Sequence, residues 1–131
     1  MAVLSSKNII VRIRTNSQKS IMKKVALPIE NGKLGSLFEH CTLFKVFTVE
    51  NRLIVDEQII ESAKKQSELF PSWFFNLGVT DVITNRVSLK TVNEFNSLKI
   101  NVFVGVEIKS PILLLSEFLE GSIETNAKLC E

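Results

Sequence analysis

Two cysteines and one histidine are the whole supply of soft metal ligands in these 131 residues, and that scarcity removes several functions at once. Cys41 and Cys130 are too few for a disulfide framework. A structural zinc site needs four protein ligands and an ordinary iron-sulfur cluster needs four thiolates, so neither forms within one chain. None of the five glycines falls in a G-x-S-x-G elbow, a P-loop or a dinucleotide fingerprint. With a single histidine the usual nucleophile and base pairings are missing as well, and the expectation is a protein that is not an enzyme. No apolar run reaches the length of a membrane span and no secretory signal with a cleavage site is visible, which points to a soluble cytoplasmic protein.

Charge of one sign is absent from the start of the chain. Residues 1–24 carry six Lys or Arg and no acid, whereas residues 25–131 carry ten basic and fourteen acidic side chains. The body is therefore mildly acidic, which argues against nucleic acid as a partner. Nine Phe and one Trp fall mainly at core spacing and read as packing.

What is present is one globular domain of 45% hydrophobic residues, enough for a proper core. Its expected division is a basic N-terminal extension over 1–21, a domain over 22–123 and a polar, loose C-terminal tail over 124–131. In the extension Ile9, Val11 and Ile13 alternate with Ile10, Arg12 and Arg14, a pattern that suits an edge strand. An unused upstream start before Met22, a flexible basic arm and a transit peptide are the alternatives. From Met22 the order reads strand, strand, strand, helix, strand, helix, strand, helix. The first three strands form a meander, with Glu50-Asn51 as the second turn, and Lys64-Lys65 falls in the loop before the first helix. Helices are expected over 67–77, 88–99 and 111–120, with Ser88 and Ser110 as N-caps and Gly78 and Gly121 as terminators. Their apolar stripes are Leu69, Phe70, Trp73, Phe74 and Leu77; Leu89, Val92, Phe95 and Leu98; and Ile112, Leu115, Phe118 and Leu119.

The most informative segment is KKVALPIENGKLGSLFEHCTLFKVFTVE, residues 23–50. It sets His40 beside Cys41 in a loop of about a dozen residues between two strands, longer than a hairpin needs. A strand ending in Pro and an acid, then NGK, then F-x-H-C before an alternating strand resembles the dinitrogenase iron-molybdenum cofactor biosynthesis family, which includes NifX and the C-terminal part of NifB. The resemblance runs from about Met22 to Ile123 through ENRLIVDEQII, LFPSWFFNLGVTDVIT, LKINVFVGV and FLEGS.

That resemblance implies an α/β, ribonuclease H-like three-layer fold: a five-stranded mixed sheet of order 3-2-1-4-5, strand 2 antiparallel, with helices on both faces. The winding reverses between strands 1 and 4, so a ligand crevice is expected where Gly32–Thr42 faces Asn85–Ser88. It also implies iron-sulfur cluster binding, or metal binding of the iron-molybdenum kind, by a preassembled cluster that brings its own sulfides. His40 and Cys41 are the metal-ligating candidates, and Arg86 and Ser88 complete the cofactor-binding set. The plain alternatives are a backbone-bonded histidine, a small buried thiol and an exposed loop charge. The family's His- and Gly-rich stretch before the first helix is here SAKKQSEL, and its GGxG-like turn is Asn85-Arg86-Val87-Ser88, so Arg86 and Ser88 are expected to crowd the crevice and either weaken cluster binding or restrict it to a smaller anion. The carboxylates of a two-metal nuclease are not gathered, since Glu30, Asp81 and Glu107 are scattered. The leading expectation is a small carrier of the NifX-like class with cluster donor or acceptor proteins as partners. The alternative is a degenerate member without cluster binding that acts as a regulatory or protein-interaction module, including as a homo-oligomer.

Overall fold

Strand alternation dominates the first half of the chain and capped helices the second. The computed structural model describes residues 22–62 and 66–130. The expected extension over 1–21 and the Lys64-Lys65 loop lie outside the described residues. Strands β1 (Met22–Glu30), β2 (Lys33–Leu34), β3 (Leu43–Glu50) and β4 (Leu53–Glu61) are followed by α1 (Phe70–Asn76), β5 (Asp81–Ile83), α2 (Leu89–Ser97), β6 (Asn101–Phe103) and α3 (Pro111–Glu120).

They build one open mixed sheet of order β4-β3-β1-β5-β6, with β2 paired to β1 off that path. β3 is antiparallel to both its neighbours, while β1, β5 and β6 run parallel. The numbering therefore departs from the expected 3-2-1-4-5, and there are six strands rather than five. The cause is β2, a two-residue strand too short to leave a period in the sequence, which moves every later strand up by one. The NGK motif makes its turn: Asn31 and Gly32 adopt φ of 55° and 78°, the paired positive values of a type I′ hairpin.

Pro28 lies in a strand flanked on both sides, a placement that normally breaks a sheet. The register resolves this, because β5 pairs with β1 only at Val25 and Ala26, so Pro28 lies past the end of β5. Its carbonyl accepts the amide of Gly35 at 2.9 Å and ties the following loop back to the strand.

The sheet separates two cores. Ala26, Phe44, Val46 and Val82 face Phe70 and Phe74 of α1 and Phe95 of α2. Val25, Leu27, Phe47 and Ile83 face Leu114 and Leu115 of α3. Helices thus cover both faces. Each begins as its sequence requires: the Ser88 hydroxyl accepts the Thr91 amide at 3.2 Å, and that of Ser110 accepts the Leu113 amide at 3.4 Å. Gly121 ends α3 at φ 74°. The first expected helix opens instead as a 3-10 turn, Ser67–Leu69, ahead of α1. Three stripe residues, Leu69, Leu89 and Ile112, point to solvent, because each sits at the first turn, beyond the reach of the core.

Every residue of β4 except Ile60 is exposed, so the third strand of the meander, an edge in the expected order too, has little cover. One further expectation is corrected. The tail is not loose: Asn126 donates to the Val104 carbonyl at 2.7 Å, Val87 donates to that of Leu129 at 3.2 Å, and Cys130 bridges Val87. Gly105, at φ 76°, leaves room for Asn126, which a side chain there would strike.

One ring organises the first core. Phe38, fully buried ahead of the His-Cys pair, lies 5.5 to 5.9 Å from the rings of Phe44, Phe70, Phe74 and Phe95. Phe38→Ala should cost about 3–5 kcal/mol in urea unfolding. The exposed Phe75→Ala should stay within about 0.5 kcal/mol of the parent.

Candidate functional site

Phe38 is also the first residue of a 3-10 turn, Phe38–His40, that carries the candidate ligands. Three residues per turn rotate successive side chains by about 120°, so neighbours diverge. With Phe38 driven into the core, His40 emerges exposed and Cys41 returns inside, 6% exposed. The Cys41 thiol donates to the Leu37 carbonyl at 3.3 Å rather than to the imidazole. Burial, reinforced by the charge of Glu30, pushes its pKa up to about 11. Thiolate is then on the order of one part in ten thousand at neutral pH, a poor state for a ligand or nucleophile. Gly35 explains the fit: its missing side chain is the space that the Cys41 sulfur occupies.

His40, Cys41 and Glu30 line one recess of about 250 Å³ between the end of β1 and the start of β3. Arg86 and Ser88 line another, of about 150 Å³, with Leu37, Glu39 and Leu129. The expected quartet is thus split between two recesses. Between them the crevice is closed by main chain, since Leu37 and Arg86 form a parallel bridge. The Phe38 amide donates to the Arg86 carbonyl at 2.9 Å, and the Arg86 amide to that of Ser36 at 3.2 Å. From the other side the Leu129 carbonyl holds Val87.

Glu39 completes the closure. Its carboxylate accepts the Ser88 amide at 3.0 Å, at the start of α2, where an anion would otherwise be drawn. Burial alone would raise its pKa. Hydrogen bonds from the Thr91 hydroxyl and from the amide and hydroxyl of Ser88 outweigh that and hold it below the ordinary 4.5. Crowding was expected from Arg86 and Ser88, but Ser88 is occupied as the helix cap and the filling group is Glu39. Glu39 and Gly35 were not legible as site residues, because Glu39 meets Ser88 across 49 residues and no local spacing signals it.

A resident metal does not fit this donor set. Among the described residues no three His, Cys, Asp or Glu side chains come together as a metal-holding group. The thiol is protonated and engaged with backbone, and the imidazole stands on the surface.

The arrangement defines a class: an open mixed α/β sheet with its crevice held shut from within. No family model matches the chain. It is 31% identical over 117 residues to Uncharacterized protein MJ0580 of Methanocaldococcus jannaschii, covering 84% of this chain and 97% of that protein. The chain belongs to the same family as that protein. Its fold is shared with PH0822 at TM-score 0.73 and 21% identity, over 79% of this chain and 94% of the other. A second structure, of M. jannaschii MJ0327, provisionally assigned as a dinitrogenase, matches at 0.67 and 19%, over 82% and 97%. The apo form of the orange protein from Desulfovibrio gigas matches at 0.68 and 17%, over 83% and 97%. Among the described residues no helix is long and apolar enough to cross a membrane.

Two outcomes follow from this geometry. The pKa of Glu39 is depressed in the folded protein, so its ionised form adds stability above about pH 4.5 that is lost as pH falls through the folded value. Glu39→Gln should cost about 0.5–2 kcal/mol at pH 7. Its unfolding curve should converge on that of the parent in acid, as followed by chemical denaturation across pH. Separately, Gly35→Ala should destabilise by about 1–3 kcal/mol by overpacking the sulfur. The same change in a Cys41→Ala background should cost much less, and equal costs in both backgrounds would remove the sulfur from the explanation.

Proposed function

We propose that this chain is a small non-enzymatic binding protein of the NifX-like class, ribonuclease H-like in architecture. On this reading it serves metallocofactor assembly through contact with other proteins and has no cluster site of its own. The observation that carries the reading is the Glu39 carboxylate on the amide of Ser88, the cap of α2, with the Leu37–Arg86 bridge beside it. A ligand entering the crevice has to break protein bonds that are already made. The fold shared with MJ0327 and with the orange protein supports placing the chain beside dinitrogenase-related proteins. A non-catalytic role fits a cysteine bonded to the backbone, with no base activating it.

A second reading is kept by one observation, that His40 is exposed on the rim of the recess that Cys41 and Glu30 also line. A cluster arriving with its own sulfides asks for only one or two protein ligands, and His40 is accessible to one.

Anaerobic reconstitution with iron and sulfide, followed by desalting, metal counting and visible spectra, separates the two. The first reading expects sub-stoichiometric iron and no charge-transfer bands. Stoichiometric iron that is lost in His40→Ala or Cys41→Ser would overturn it in favour of the carrier.

A further inference from the structure

β4 is the long edge of the sheet, nine residues paired with β3 and, among the described residues, with no strand beyond. Its pairing shifts register opposite Thr48 and Val49, and from Asp56 to Glu61 it continues as an unbroken ladder. Long edges are ordinarily blunted by lysine or proline, and β4 contains neither. Glu57 lies opposite Phe47 and Ile59 opposite Lys45, which places Glu57, Ile59 and Glu61 on the face that carries α3. Asp56, Gln58 and Ile60 take the other face. Ile59 is 60% exposed, and with Ile29, Phe47, Pro111 and Ile112 it forms the apolar walls of a recess of about 290 Å³.

We propose that the 56–61 edge is a docking site for a basic strand of a partner protein, added to the sheet through main-chain hydrogen bonds. Lysine or arginine lies opposite Asp56 and Glu61, and an apolar side chain opposite Ile59 enters the recess. This gives the protein-binding role proposed for the chain a contact surface, and it rests on that reading. Charge decides the occupant. Asp56, Glu57 and Glu61 are all exposed, and no Lys or Arg occurs between 53 and 61. Lys45 already holds Glu57 at 3.0 Å, so Asp56 and Glu61 supply most of the attraction. A second copy laid on the same run would set acid beside acid. In such strand addition the backbone bonds give affinity, while the side chains facing the edge give specificity.

The test uses the full chain, free of iron, and the capped peptide RVVTRR, which in antiparallel register sets arginine opposite Glu61, Glu57 and Asp56. In an NMR titration the amide shifts should saturate and concentrate in β4. The counterpart EVVTEE should bind roughly tenfold more weakly or worse. So should RPPTRR, because one of its two prolines removes a donor that faces β4. Asp56→Lys with Glu61→Lys should reverse the preference between RVVTRR and EVVTEE, with amide exchange at Val25–Leu27 as the control for folding. Equal binding of the two peptides, shifts centred outside β4, or an unreversed preference in the folded variant would overturn the proposal. Edge amides already protected in the free chain would overturn it too, and so would a doubled mass in light scattering with shifts in β4 that follow protein concentration. A chain that binds RVVTRR as expected yet takes up stoichiometric iron on reconstitution keeps the docking site and loses the cluster-free reading, so the two fail separately.

Discussion

The burial of one ring, Phe38, fixes the geometry on which everything near the crevice depends. It is inserted among four other aromatic rings contributed by β3, α1 and α2, so it cannot rotate without disturbing both layers on that face. Once it is seated, the rotation of the 3-10 turn leaves its neighbours little choice. Glu39 reaches α2, His40 faces water and Cys41 lies over Gly35. The loop that would otherwise be the variable, functional part of such a fold is tied by main-chain bonds to Pro28 and Arg86 and by Glu39 to Ser88.

This has an electrostatic side. The start of a helix carries partial positive charge and unpaired amides, and it attracts whatever anion is close. Here the closest is covalently attached. Any external anion competes with a carboxylate whose local concentration is set by the chain itself, and the donors it would need at Ser88 and Thr91 already serve that carboxylate.

Much of the architecture was legible because it is written locally. Ser88 and Ser110 mark helix starts, Gly121 marks an end, and the run from 43 to 61 alternates as paired strands should. The site was less legible, for a physical reason. Adjacency of His40 and Cys41 in sequence suggested a shared role, and both line one recess, but the turn and its extended cap leave the imidazole exposed and the thiol buried. Arg86 and Ser88 line a recess with Leu37 and Glu39, and the main-chain bridge beside it carries no residue-type signal at all. The anchored tail escaped notice because its polar side chains say nothing of the backbone bonds they accompany.

The double clasp on Arg86–Ser88 bears on the order in which the molecule assembles. Segment 36–39 and segment 126–130 approach this short stretch from opposite directions along the chain, and Glu39 joins Ser88 across 49 positions. Contacts of such long range are costly in loop closure and form after the local hairpins and helices. On loop closure alone the crevice belongs with the late seams, together with the pairing of β1 to β5, and closes after the hairpins and helices on either side of it.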